Sequence, residues 1–178
     1  MLTITYRTKD VSPEEWLAAR KALLVKEKAA SRAHDALHSE LRTFPMTRIT
    51  KQYSFTGPNG TVKFSNLFES NKQLIVYHFM LAPGQKNMCT GCSFMADNFP
   101  RELVHLNARG VTLVMVSRAP WEEISKFKER MGWDLPWYSS YETDFNYDFH
   151  VTMDEEIAPP QYNVSTKVDL LFSLVLLF

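Results

Sequence analysis

A chain of 178 residues is the size of one domain with appendages, and at 45% hydrophobic and 13% aromatic it can bury a sizeable core. Its 20 basic residues balance 20 acidic ones, which leaves no electrostatic footprint for nucleic acid or an anionic membrane. Two cysteines are too few for a disulfide scaffold, and the polar stretch from Met1 to Asp10 lacks the apolar core of a signal peptide. These features together predict a protein of the reducing cytoplasm.

In chain order, Ser12-Pro13-Glu14-Glu15 reads as a helix start. Ser12 can cap, Pro13 suits the first helical position, and Glu15 completes a capping box. The Ala-, Leu-, Lys- and Glu-rich run that follows extends to about Glu40, with Trp16, Ala19, Leu23, Ala30 and Leu37 able to share one face. Phe44-Pro45 ends it. This predicts one long helix or two shorter ones outside the core sheet. Tyr53-Ser54-Phe55, Gly57-Pro58-Asn59-Gly60 and Val62-Lys63-Phe64 give alternation, turn and alternation, the pattern of a β-hairpin. Leu74 to Met80 is almost continuously apolar and rich in β-branched and aromatic residues, as a buried strand is.

Past a loop with Pro83 and Gly84 come the two cysteines, as Cys89-Thr90-Gly91-Cys92. Ser93 to about Arg109 is helical in character, broken at Pro100 and capped by Gly110. Val111 to Val116 is a second buried strand, Ser117-Arg118-Ala119-Pro120 a turn, and Trp121 to Met131 an amphipathic helix that Gly132 stops. Strands alternating with helices predict a parallel pair, with ligands outside the carboxyl ends of the strands. Both the Cys89 loop and the Arg118 turn follow such ends. There is no internal repeat and no low-complexity segment.

A Cys-x-x-Cys pair between a strand and a helix reads as a redox motif in a cytosolic protein. Helix N-termini favour thiolate, the form that attacks disulfides and peroxides. Cys89, at the helix entry, is the expected nucleophile, and Cys92, in the first turn, the expected resolving thiol. The contrary reading is a pair of inert thiols.

Several segments carry a resemblance. They are Cys89-Thr90-Gly91-Cys92-Ser93-Phe94, Val116-Ser117-Arg118-Ala119-Pro120, Phe127-Lys128-Glu129-Arg130-Met131-Gly132-Trp133, Pro136-Trp137-Tyr138-Ser139-Ser140 and Asp144-Phe145-Asn146-Tyr147-Asp148-Phe149. The chain resembles the "domain of unknown function 899" family over roughly Val11 to Val151. The resemblance implies a thioredoxin-like α/β fold, nearest the peroxiredoxin and membrane-tethered thioredoxin branches, with a peroxiredoxin-type hairpin, a central mixed sheet flanked by helices and a dithiol site. It implies no settled substrate. Met88 stands where thioredoxins usually carry Trp, and Asp97 where their helix proline falls. Family members continue with two more strands, one carrying a cis-proline, and a last helix. The run after about Ile157, with Ala158-Pro159-Pro160 and the apolar tail from Val168 to Phe178, does not match that pattern.

The expected organisation is therefore an N-terminal helical extension (1–50), a thioredoxin-like domain (51–160) and an apolar tail (161–178). The expected function is dithiol–disulfide exchange on a protein or small-molecule substrate, without a cofactor. A thiol peroxidase is the runner-up. There Cys92 would be the peroxidatic residue, with Cys89 in the slot where peroxiredoxins carry Thr. A non-enzymatic interaction protein is the third reading. Arg118 is expected either to stabilise the thiolate or bind an anionic substrate, such as the carboxylates of glutathione, or to be a plain structural arginine. Among the aromatic residues from Trp133 to Phe149, mostly core, Trp137 and Tyr138 are the ones expected nearest a cleft. Asp144 and Asp148 read as turn and solvent residues.

His34 and His38, four apart on a helix, would make a zinc set with the cysteines, but some fifty residues separate the pairs and no metal is expected. His78 and His105 read as structural. The tail is far shorter than the ~20 apolar residues that span a bilayer. It is expected to pack where the family's last elements would lie, or to drive self-association.

Overall fold

The computed structural model describes residues 9–152, 154 and 156, and the backbone of 175–177. The chain divides into two units, Met1–Thr50 and Lys51–Phe178. The described residues of the first form one helix, α1 (Pro13–Leu41), of 29 residues. Its start is as expected: the Glu15 N–H donates to Ser12 Oγ at 3.2 Å and the Ser12 N–H to Glu15 Oε2 at 3.3 Å. The predicted apolar face is not a buried one, for no residue of α1 is buried. Trp16, Leu23 and Leu37 are all exposed. Strong helix formers, the cap and an Arg20–Glu27 ion pair at 2.9 Å hold it instead.

The second unit is α/β. Strands β1 (Ser54–Gly57) and β2 (Gly60–Lys63) form the predicted hairpin, followed by a 3-10 turn at Phe64–Phe68. Then come β3 (Gln73–His78), α2 (Thr90–Asp97), α3 (Val104–Asn107), β4 (Val111–Ser117), α4 (Trp121–Met131), β5 (Trp137–Ser139), α5 (Phe145–Asp148) and β6 (Val175–Leu177). One mixed sheet runs β2-β1-β5-β4-β3-β6. Its centre is the parallel set β3, β4 and β5, and the hairpin and β6 join antiparallel. The predicted hairpin, mixed sheet, flanking helices and N-terminal helix are all present.

The helix after the cysteines is broken as predicted: α2 stops at Asp97, and the four-residue α3 follows Pro100, where the ring removes a donor. One feature differs from the sequence reading. A third parallel strand, β5, appears, and its single pairing Thr56↔Ser139 ties the hairpin into the sheet. Gly57 makes that join, because a Cβ there would lie 2.6 Å from the Tyr138 ring.

Alternation along β3 and β4 builds two cores, one on each face of the sheet. Tyr77, Leu113 and Met115 face a cluster with Cys92, Ile124, Trp133 and Trp137. Leu74, Val76, Val114 and Val116 face Tyr53, Phe55, Leu67 and Phe145. The tail's β6 lies beside β3 with register Val76↔Leu176; residues 157–174 lie outside the described set. Among the described residues no helix is long and apolar enough to cross a membrane.

Candidate functional site: a Cys-x-x-Cys pair at a helix N-terminus

The parallel strand β3 delivers the chain to the carboxyl edge of the sheet, where α/β folds place their sites. The loop from Phe79 to Met88 then turns into α2, with Cys89 as its N-cap in extended conformation. Cys89 Sγ accepts the N–H of Cys92 at 3.3 Å, the bond a capping oxygen usually accepts. The Cys89 carbonyl receives both the Ser93 N–H at 2.9 Å and the Ser93 hydroxyl at 3.0 Å. The two thiols differ in access. Cys89 is half-buried, whereas Cys92 is fully buried at 0% exposure against Tyr77, Phe79 and Trp137. The two sulfurs are not bonded to each other. Between them Gly91 is open on its outer side, with no atom within 4 Å of where a Cβ would stand.

Side chains distant in sequence hold this turn. Tyr77 donates its hydroxyl to the Cys92 carbonyl at 3.3 Å. Asp97, where a thioredoxin carries its helix proline, accepts the Trp133 indole N–H at 2.8 Å, tying the end of α2 to the segment after α4. Met88, where a thioredoxin carries tryptophan, takes Arg130 Nη2 at 3.3 Å from its sulfur. Arg130 lies 42 residues from Met88, so the Phe127-to-Trp133 segment that contains it carries no local sign of this contact.

Of the other residues expected at the site, Trp137 shares the core cluster of Cys92, while Tyr138 belongs to the cluster on the opposite face. Trp137 is a core residue, 1% exposed, and its indole N–H donates to Ser117 Oγ at 3.0 Å, so it offers no ring face to a substrate. Tyr138, next along β5, points to the opposite face and packs with the Phe55–Phe145 core. Burial raises its phenol pKa. Arg118, just past β4, donates to Tyr147 Oη at 3.4 Å on α5, and Phe145 of that helix belongs to this second core. The same face holds His78, stacked on Phe145 with centroids 5.8 Å apart. Burial drives the His78 pKa down to about 4, and its Nε2 has no hydrogen-bond partner among the described residues. His78 is thus a core residue, as expected.

Asp144 and Asp148 are more than turn residues. Both accept from Lys51 Nζ, at 2.8 and 2.6 Å, and Asp148 also accepts the Tyr53 hydroxyl at 2.7 Å. The Lys51 and Tyr53 bonds lower the Asp148 pKa. Burial, then the Asp148 bond, pushes the Tyr53 phenol up to about 12. Ninety-odd residues separate these partners, so local sequence carries no sign of them. On α1, His34 and His38 pack ring to ring at 4.2 Å. Among the described residues, no cluster of three or more His, Cys, Asp or Glu side chains could hold a metal ion.

The family described as "Bacterial protein of unknown function (DUF899)" matches residues 6–173. The chain belongs to the DUF899 family. The match runs past Val151 and takes in most of the tail that motifs alone left unassigned. No curated protein matches this DUF899 chain. Among solved structures it is similar to BsSco, described as a member of the Sco family of cytochrome c oxidase assembly proteins with a disulfide switch. The identity is 13% and the TM-score 0.38, over 61% of this chain and 65% of that one, so the likeness spans less than two thirds of BsSco.

Proposed function

We propose that this DUF899 protein is a cytoplasmic dithiol–disulfide oxidoreductase, with Cys89 as nucleophile and Cys92 as resolving thiol. The observation that carries the reading is the unequal access of two thiols one helical turn apart. Cys89 is partly exposed at the N-cap with its sulfur on the Cys92 N–H, while Cys92 is wholly buried behind it. In the first step, Cys89 thiolate attacks one sulfur of a substrate disulfide and expels the other half as a thiolate. The Cys89 mixed disulfide is then attacked by Cys92 as thiolate, its proton lost to solvent. The Cys89–Cys92 bond forms and the second half leaves as a thiolate. The substrate gains two electrons, the protein pair loses two, and a second dithiol or two low-molecular-weight thiols restore it. Substrates are protein or small-molecule disulfides.

The peroxidase reading uses Cys92 as the attacking sulfur, and complete burial argues against that order. Parallel assays of disulfide reduction and hydrogen peroxide consumption, on the native chain and on Cys89→Ser and Cys92→Ser, separate the readings. Exchange predicts loss of disulfide reduction by at least about a hundredfold in Cys89→Ser, with peroxide consumption no faster than in the double variant. Peroxidase chemistry predicts that Cys92→Ser is the dead variant for peroxide. If native disulfide reduction equals that of the double variant, the oxidoreductase reading fails and the interaction-protein reading gains.

A further inference from the structure

A cleft of about 330 Å³ lies between the loop before α2 and one side of α4, lined by Gly84, Gln85, Glu123, Lys126, Phe127 and Arg130. Its size suits a small peptide or a fragment of one. Its charges are unevenly committed. Glu123 is held by the Gly84 N–H, which lies 3.2 and 3.0 Å from its two oxygens. Neither Lys126 nor Arg130 has an ion-pair partner among the described residues, whose ion pairs are those of Arg20 and Lys51. Arg130 is also pre-oriented, its guanidinium 4.7 Å over the Phe127 ring and one nitrogen on the sulfur of Met88, the residue before Cys89. A stacked guanidinium with unused donors is a recognition element for a carboxylate.

We propose that this cleft binds the carboxylate-bearing half of a low-molecular-weight disulfide of the glutathione class, with Lys126 and Arg130 as its anion-binding residues. The assignment rests on the dithiol reading for its purpose and on the cleft alone for its binding. Arg130 links the two, since the side chain that would hold the carboxylate also touches the residue next to the nucleophile. The role of anion receptor, expected of Arg118 from sequence, passes to a residue on α4.

The test uses S-methylglutathione, which keeps both carboxylates and cannot exchange. Calorimetric titration should show binding to the native chain that weakens about tenfold or more in Lys126→Gln/Arg130→Gln and recovers in part in Arg130→Lys. The diethyl ester should bind as weakly to the native chain as the acid does to the double variant. Melting temperatures of the variants report whether they fold. Equal affinity of native and double variant, equal affinity of acid and ester, or tighter binding of inorganic phosphate than of S-methylglutathione would each overturn the assignment. Reduction of the neutral bis(2-hydroxyethyl) disulfide by the native chain is measured alongside. Its absence removes the dithiol reading, while charge-dependent binding of S-methylglutathione still decides the cleft.

Discussion

Cys89 and Cys92 sit on the same turn and have different fates because of where the turn ends. The N-cap position keeps Cys89 at the edge of the helix, and the first turn carries Cys92 inward onto Tyr77 and Trp137. Gly91 keeps the outer side of that turn bare. A Cβ there would meet no atom within 4 Å, so Gly91→Leu should fold normally, with α2 slightly stabilised by up to ~1 kcal/mol. Disulfide reduction should nevertheless fall several-fold as the new side chain crowds the approach to Cys89. Thermal melts and initial rates on the same sample check both halves. His78 supplies a prediction about pH. Burial holds its pKa at about 4, against 6.5 for an ordinary histidine, so the folded chain binds fewer protons than the unfolded chain between those values. The stability from keeping the ring neutral is complete above pH 6.5, is lost as pH falls toward 4 and changes no further below it. The loss amounts to at most ~3 kcal/mol. Urea unfolding of native and His78→Leu chains across that range should show a slope that the variant lacks.

At the scale of elements, α2 is pinned at both ends. Tyr77 reaches its first turn from β3, and Asp97, its last residue, takes the Trp133 indole. Trp133→Phe removes the second tie together with part of a buried ring and should cost ~1–3 kcal/mol in denaturant unfolding, with faster amide exchange at the C-terminal end of α2. Elements with strong local signals were legible in the sequence. Ser12, Pro13 and Glu15 marked the start of α1, the Gly57-to-Gly60 turn marked the hairpin, and apolar runs marked β3 and β4. The three-residue β5 was not legible, because so short a stretch shows no period and its first two residues, Trp137 and Tyr138, are both large aromatics. Only the sheet separates them, sending one to each face. The same gap explains Arg118: its position after a strand end could be read, but which face it turns to could not.

Across the whole second unit, the order β2-β1-β5-β4-β3-β6 puts β3 between a parallel and an antiparallel neighbour, and the Cys-x-x-Cys turn at its carboxyl end. The cysteines announced themselves by spacing. Their supporting contacts, from Tyr77, Trp133 and Arg130, are long-range and emerged only with the fold. Family membership through residue 173 adds most of the tail to the same unit of descent. The account's central claim is the order of attack, Cys89 first and Cys92 second. Intact-mass spectrometry of the single variants after exposure to bis(2-hydroxyethyl) disulfide tests it directly. The account predicts one stable hydroxyethanethiol adduct on Cys89 in Cys92→Ser and none forming at a comparable rate in Cys89→Ser. An adduct that builds as fast on Cys92 in Cys89→Ser, or no adduct on either variant, would contradict it.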